Sequence, residues 1–328
     1  MTRLPRLSPR AYGRITLLVL FAVGFIIVTG AAVRLTGSGL GCSEWPTCEN
    51  GQLVAELDTH QMIEFGNRMI TGLVSVAVII AVLGSLVREP RRRDLTWWSL
   101  GLVLGIVAQA VLGGISVKME LAPGFISAHF LLSIVLVWNA MVLHERANRP
   151  DGEAVPIVGP SEVRTGRVLV ALACVVLVTG TFVTGTGPHA GDERAHRYTF
   201  ATVTDVARVH SVMVWIFLAT AVLLLWRLTR RGARSTEPRA RLLVGAILLQ
   251  GALGYAQYAS GVPPYLVIVH VLGSVLVFIA TLHLYFGLFA VPADDPAVDV
   301  VGIAEVIDAT TSRTVADPRP APEPTPAG

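Results

Sequence analysis

A chain of 328 residues is long enough for two soluble domains, but 53% of it is hydrophobic and its mean hydropathy is +0.62. Those values exclude an ordinary soluble enzyme and point to an all-α, polytopic membrane protein. The formal net charge of +3 comes from arginines flanking apolar runs rather than from a basic face, so no nucleic-acid partner is expected, only membrane lipid.

Eight apolar runs reach spanning length: 15–33, 64–87, 95–116, 124–144, 167–187, 204–226, 240–258 and 265–290. A helix needs about 20 apolar residues to cross the hydrocarbon, so each suffices. The arginines fall in alternate connections: Arg3, Arg6, Arg10 and Arg14; Arg88 and Arg91 to Arg93; Arg146, Arg149, Arg164 and Arg167; Arg227 to Arg241. These segments, and with them both termini, are expected on the cytoplasmic side of the cell membrane. The expected division is a cytoplasmic segment 1–14, a four-helix half 15–144, a cytoplasmic linker 145–166, a second four-helix half 167–290 and a tail 291–328.

The first run lacks a small-residue cleavage site before a polar region, so it reads as a retained helix rather than a signal peptide. It ends on Val28-Thr29-Gly30, Val33 and Thr36-Gly37, small residues that allow close helix approach in lipid. Next comes a loop dense in Gly, Trp, Pro and Cys, about 34–60, expected to be a structured cap. Two of the three cysteines, Cys42 and Cys48, lie in it on the outer, oxidising side, so a disulfide is expected, with two free thiols as the alternative.

Helix 2 opens with Ile63-Glu64-Phe65-Gly66-Asn67-Arg68, and i, i+3, i+4 spacing puts Glu64, Asn67 and Arg68 on one face. A carboxylate inside a spanning helix costs several kcal/mol unless paired or working, so Glu64 is either the partner of Arg68 or a functional group. Arg91 to Arg93 with Trp97 and Trp98 read as an inner-face anchor of helix 3. Helix 4 carries His129 near its outer end and His144 near its inner end, where solvation is expected.

Helix 5 repeats the end of helix 1 as Val178-Thr179-Gly180, Val183 and Thr186-Gly187, at a constant offset of 150. The second outer loop holds His189, Asp192, Glu193, Arg194, His196 and Arg197, charges that suit solvent. Helix 6 then carries Arg208 and His210 near the outer face, with His210 aligned to Asn67. Helices 7 and 8 repeat helices 3 and 4: Gln109, Leu112, Gly113, Pro123, His129 and Ser133 recur as Gln250, Leu253, Gly254, Pro264, His270 and Ser274, all offset by 141. Two pseudo-symmetric halves follow from this register, each presenting a buried imidazole. His283 lies about 20 Å deeper than His270 and reads as unrelated to it. The tail from Val291 is rich in Pro, Ala and Asp and is expected to be disordered.

Intramembrane ionisable residues are functional hypotheses by default, and histidines stand at corresponding depth on helices 4, 6 and 8. Two facing imidazoles can take both axial positions of a haem iron. His210 and His270, in one half, are the natural pair, and Arg34 and Arg208 lie where haem propionates would need charge-assisted hydrogen bonds. The other half has His129 but Asn67, so a haem there would have at most one strong ligand from this pair, with Glu64 as a candidate proton acceptor.

Thr36-Gly37-Ser38-Gly39-Leu40-Gly41-Cys42, Glu44-Trp45-Pro46-Thr47-Cys48, the Glu64 to Arg68 opening and the repeated histidines resemble haem A synthase across about 14–288. The resemblance implies oxidation of a haem O methyl group to the formyl of haem A for terminal oxidases, and contact with haem O synthase and cytochrome oxidase assembly. It implies haem b as cofactor on His210 and His270, and substrate haem in the first half facing His129, beside Asn67 and Arg68. Glu64 would be the catalytic carboxylate and Cys42 with Cys48 the loop pair. One departure stands out: the family's Glu-x-x-His-Arg is Glu64-Phe65-Gly66-Asn67-Arg68 here, and His60 lies too far along the axis to substitute directly. A second outer-loop cysteine pair, present in some members, is missing too. The alternatives are a di-haem electron carrier and a haem chaperone or oxidase assembly factor.

Overall fold

The computed structural model describes residues 6–292. The expected disorder of the tail therefore falls, from residue 293 on, outside the described residues.

All eight apolar runs form helices: α1 (Pro9–Leu35), α2 (Thr59–Val87), α3 (Arg93–Lys118), α4 (Pro123–Ala147), α5 (Pro160–Thr186), α6 (Val203–Arg230), α7 (Glu237–Ala259) and α8 (Pro264–Phe286). Each is long and apolar enough to cross a membrane, and the protein is an all-α multi-pass membrane protein. Most helices begin before their apolar run because hydropathy ends at the interface whereas the helical backbone continues to a cap. Ser8 caps α1, Asp58 accepts from the N–H groups of His60 and Gln61 at the start of α2, and Thr202 with Asp205 forms a capping box on α6. Prolines sit in the first turn of α1, α4, α5, α7 and α8, where the missing N–H costs nothing.

The helices pack as two rings. In the first, α1 packs on α2 and α4, and α3 on α2 and α4; α5 to α8 repeat this arrangement, and the rings meet along α1–α8, α4–α5 and α4–α8. Consequently α2 faces α4 across a diagonal, and α6 faces α8. We call the side bearing the 36–58 and 187–202 connections the loop side and the other the arginine side.

One short element departs from the all-helical expectation. Val155–Pro156 pairs antiparallel with Phe289–Ala290, so residues expected in the linker and at the end of helix 8 form a two-residue β-pair on the arginine side. The same side carries a polar knot: Glu145 lies 3.0 Å from both Arg149 and His283, and Arg149 also donates to the Phe286 carbonyl at 2.8 Å. His283 is thus a tie between α4 and α8. His144, expected in solvent, is half-buried with its Nδ1 3.0 Å from Thr16 Oγ1, because α1 packs along α4 there.

Packing is tight towards the arginine side and loose towards the loop side. Fully buried side chains begin only at Ile134 on α4, Phe217 on α6 and Val275 on α8, and end at Ile247 on α7. Tyr12, Leu95, Leu143, Leu224, Leu243 and Leu282 sit at the centre of this core. His129, His210 and His270 lie in the other, loosely packed half of the helices.

Candidate functional site

Asn67, His129, His210 and His270 each stand six to eight residues from the loop-side start of their helices, a depth of about 9 to 12 Å at 1.5 Å per residue. They occupy the two diagonals: Asn67 and His129 on α2 and α4, His210 and His270 on α6 and α8. All four are half-buried, and the His210 and His270 imidazoles lie within electrostatic range of each other.

The repeated glycines explain how the rings are held. A Cβ at Gly113 would sit 3.3 Å from the His129 ring, one at Gly180 3.3 Å from His210 and one at Gly254 3.0 Å from His270. Each imidazole therefore lies against the bare backbone of the neighbouring helix. The carbonyls of His129 and His270 accept from the side-chain amides of Gln109 and Gln250, at 3.0 and 2.8 Å, which pins the helix pairs in the same register.

The repeated threonines add a second layer. Thr179 Oγ1 donates to the Val176 carbonyl at 3.0 Å and lies 3.0 Å from His210 Nδ1. With its hydrogen committed to that carbonyl, the hydroxyl oxygen accepts from Nδ1–H, which leaves the lone pair on Nε2, the nitrogen able to bind a metal. In the first ring the equivalent Thr29 Oγ1 lies 3.1 Å from the Ile26 carbonyl and 2.8 Å from the Asn67 amide, so Asn67 occupies the place of His210. Nδ1 of His129 and of His270 is buried with no hydrogen-bond partner among the described residues.

These residues fit a haem: flat rings clamped by glycine, polar ring atoms without protein partners, and facing helices that do not pack closely on the loop side. Among the described residues no cluster of three or more His, Cys, Asp or Glu forms a bare metal site, so the histidines do not compose a polydentate ion site.

Glu64 is buried below the first loop, 2.6 Å from Arg68 and accepting the Cys42 N–H at 2.8 Å. The Arg68 guanidinium donates to the carbonyls of Cys42, Glu44 and Thr47 as well, so it faces the loop. Cys42 and Cys48 form a disulfide. Trp45, in the same loop, packs on Gly114, next to the glycine that carries the His129 ring, so the loop caps the first ring. Glu44 accepts from the Gly51 N–H and the Thr47 hydroxyl, at 2.9 and 2.8 Å, which holds its carboxyl below the usual range.

Arg34 bridges the rings: Nε donates to the His189 carbonyl at 2.7 Å and Nη2 to the Thr184 carbonyl at 2.9 Å. Arg197, expected among the solvent-facing charges of the second loop, lies within Coulombic range of Arg34, a proximity that emerges only when the loop folds back. The charged side chains Glu193, Arg194, His196 and Arg197 stay exposed, as expected, while the loop docks through its backbone and His189. Gly39 N–H donates to the Gly191 carbonyl at 2.9 Å, and His189 Nε2 meets the Val262 carbonyl at 2.8 Å. Arg208 is exposed on α6, while His196 lies 3.9 Å from Glu120 at the surface and His60 Nδ1 2.9 Å from Ser38.

The family model described as "Cytochrome oxidase assembly protein" matches residues 13–60 and 51–282. Curated relatives carry the name "Heme A synthase". That of Listeria welshimeri is 32% identical over 131 residues, 39% of this chain and 43% of the relative. That of Exiguobacterium sibiricum is 26% identical over 174 residues, 52% and 58% respectively, and that of Lysinibacillus sphaericus 26% over 135 residues, 40% and 44%. The chain spans about half the length of the curated relatives it matches. Because the family model covers nearly all of the helical region, the chain belongs to the cytochrome oxidase assembly protein family.

Proposed function

We propose that this protein is a haem A synthase: it oxidises a methyl group of haem O to a formyl group, giving haem A for terminal oxidases. The observation that carries the reading is the asymmetry of two otherwise matching sites, His210 with His270 across one ring and Asn67 with His129 across the other, joined to the relatives' name. Two strong ligands suit an electron-transferring haem b; a single histidine leaves room for a substrate haem to react.

Haem b, when bound at His210 and His270, supplies one-electron transfer. Thr179 holds His210 as the Nδ1–H tautomer, and Gly180 and Gly254 fix the ring planes. His129 would be the residue that meets the substrate haem, with Asn67 and the loop held by Arg68 beside it. Glu64, one turn from Asn67, would take a proton released at the methyl carbon; reaching the gem-diol adds two oxygens and removes four electrons, which an external oxidant would accept, and the gem-diol would lose water to the aldehyde. Arg208 and the free Nη1 of Arg34 are the propionate donors. On this reading residues 15–144 hold the substrate and 167–290 the haem b. Both termini and the 145–166 linker are cytoplasmic, and haem O synthase and the oxidase assembly machinery are the partners.

A host lacking the gene should accumulate haem O at the expense of haem A, and the plasmid-borne chain should reverse this. Glu64→Gln retains the hydrogen bond to Cys42 but removes the charge, so haem A should fall by about 100-fold, at the low end of general acid–base contributions. Wild-type haem A in that variant would leave Glu64 as an ion-pair partner only. Purified protein that binds haem O but yields no oxidised product under reductant and air would instead make it a haem chaperone.

A further inference from the structure

The two rings differ along the seam between their first two helices. On the loop side of α1 and α2 runs an open groove of about 280 Å³, with Ala32, Met62, Ile63, Gly66 and Ile70 among its walls. Thr29 and Asn67 line it as well, which makes the groove continuous with the first-ring site. A Cβ on Gly30 or on Gly66 would meet nothing within 4 Å. The offsets that relate the rings are 150 for the first helix and, from Asn67 to His210, 143 for the second; they put Phe182 in the place of Ala32 and Val209 in that of Gly66. Phe182 is in turn roofed by aromatics of the second loop, with ring centroids 5.7 Å from Tyr198 and 6.2 Å from Phe200. Leu57, which matches Phe200 at the same offset of 143, is 99% exposed instead. The seam thus carries an aromatic cluster in the second half and small or unpacked side chains in the first.

We propose that this groove takes the isoprenoid chain of the substrate haem, and that its aromatic counterpart shuts such a chain out of the second ring. The inference rests on the reading that the first ring takes haem O opposite His129 while the second holds haem b. Those two porphyrins differ at one position: haem O carries a long farnesyl-derived chain where haem b has a vinyl group. A flexible apolar chain attached to a macrocycle inside a ring of helices leaves most cheaply through a seam that opens on hydrocarbon. The lining from Met62 to Ile70 spans eight residues, about 12 Å of helix, and its apolar walls bury no polar group against the chain. Met62 adapts to an irregular shape. Because the chain is surrounded by hydrocarbon on either side of the seam, the groove contributes little affinity. It provides direction: a fixed exit for the chain sets which edge of the macrocycle is presented to Glu64.

The full-length protein, purified with its resident haem, is titrated with haem O and separately with haem b. First-ring binding is the part of the absorption change that His129→Ala removes. Ala32→Phe gives the groove the bulk that the second seam has. Gly66→Val is a second route, and its Cβ enters open space, so the helix is not forced apart. In these variants the ratio of haem O to haem b affinity should fall on the order of tenfold or more, the scale of forcing a bulky group into filled space. The low-spin haem of the second ring, unchanged, reports that the fold is intact. A ratio that stays at the wild-type value in both variants overturns the proposal and leaves the groove to lipid acyl chains. So does an equal loss of both haems, which would make the groove part of the pocket for the macrocycle itself. If His129→Ala removes none of the haem O signal, the first-ring reading fails and the proposal with it.

Discussion

At the scale of single residues, the depth of the histidines and the helices that carry them were legible because a repeat with a fixed offset keeps helix face as well as spacing. The functions of Thr29 and Thr179 were not. The Val-Thr-Gly repeats suggested close helix packing; Gly180 provides it, against the His210 imidazole rather than another backbone, whereas a Cβ at Gly30 would meet nothing within 4 Å. The threonine hydroxyls pair with positions 67 and 210, a contact between α1 and α2, and between α5 and α6, that linear spacing does not reveal. The tautomer argument makes a prediction. Thr179→Val removes the acceptor for His210 Nδ1–H and should weaken haem retention by about 10- to 100-fold, the usual effect of losing a group that orients a metal ligand. Thr179→Ser should restore it. Haem content after dialysis against apomyoglobin measures both, and a valine variant that retains haem like wild type would show the hydroxyl to be incidental.

At the scale of elements, hydropathy located every helix but placed ends early or late, since caps and interfacial arginines are polar. The Val155–Pro156 and Phe289–Ala290 pair escaped because two residues of pairing across that distance have no periodicity to detect. For the 36–58 loop, composition announced a cap but not what fastens it. Arg68 does so through several backbone carbonyls at once, a task for a planar guanidinium. Arg68→Lys should therefore destabilise the loop by about 2 kcal/mol or more, since hydrogen bonds to a charged group are worth about 1.5–3 kcal/mol each. Hydrogen exchange of the loop amides is the readout, and unchanged protection would contradict the role. Acidification acts on the same loop through Glu44. Its folded-state carboxyl lies below the ordinary value, so its contribution is present above the unfolded pKa and is lost as pH falls through the folded one. Protection factors at residues 44–51, taken relative to the intrinsic exchange rate at each pH, should fall on going from neutral to strongly acidic pH, and Glu44→Gln should flatten that dependence.

At the scale of the whole molecule, the sequence repeat foretold two related halves, and the structure adds how they differ in packing along their length. The core is concentrated towards the arginine side, where His283, Glu145 and Arg149 tie the rings together. The loop-side halves stay loose around the histidines. Across that mouth the rings are joined by Arg34 reaching the carbonyls of Thr184 and His189, a contact dependent on how the second loop folds back and invisible in either half alone. Arg34→Gln should increase hydrogen exchange in residues 187–202 while leaving the arginine-side helices protected; protection unchanged in both would mean that the strut carries no load. The central claim is that one ring holds a bis-imidazole haem. The measurement that tests it most directly is the low-temperature electron paramagnetic resonance spectrum of the oxidised, purified protein beside its His210→Ala and His270→Ala variants. Wild type should give a six-coordinate low-spin haem signal that either substitution abolishes, and a low-spin signal that survives both would contradict the assignment.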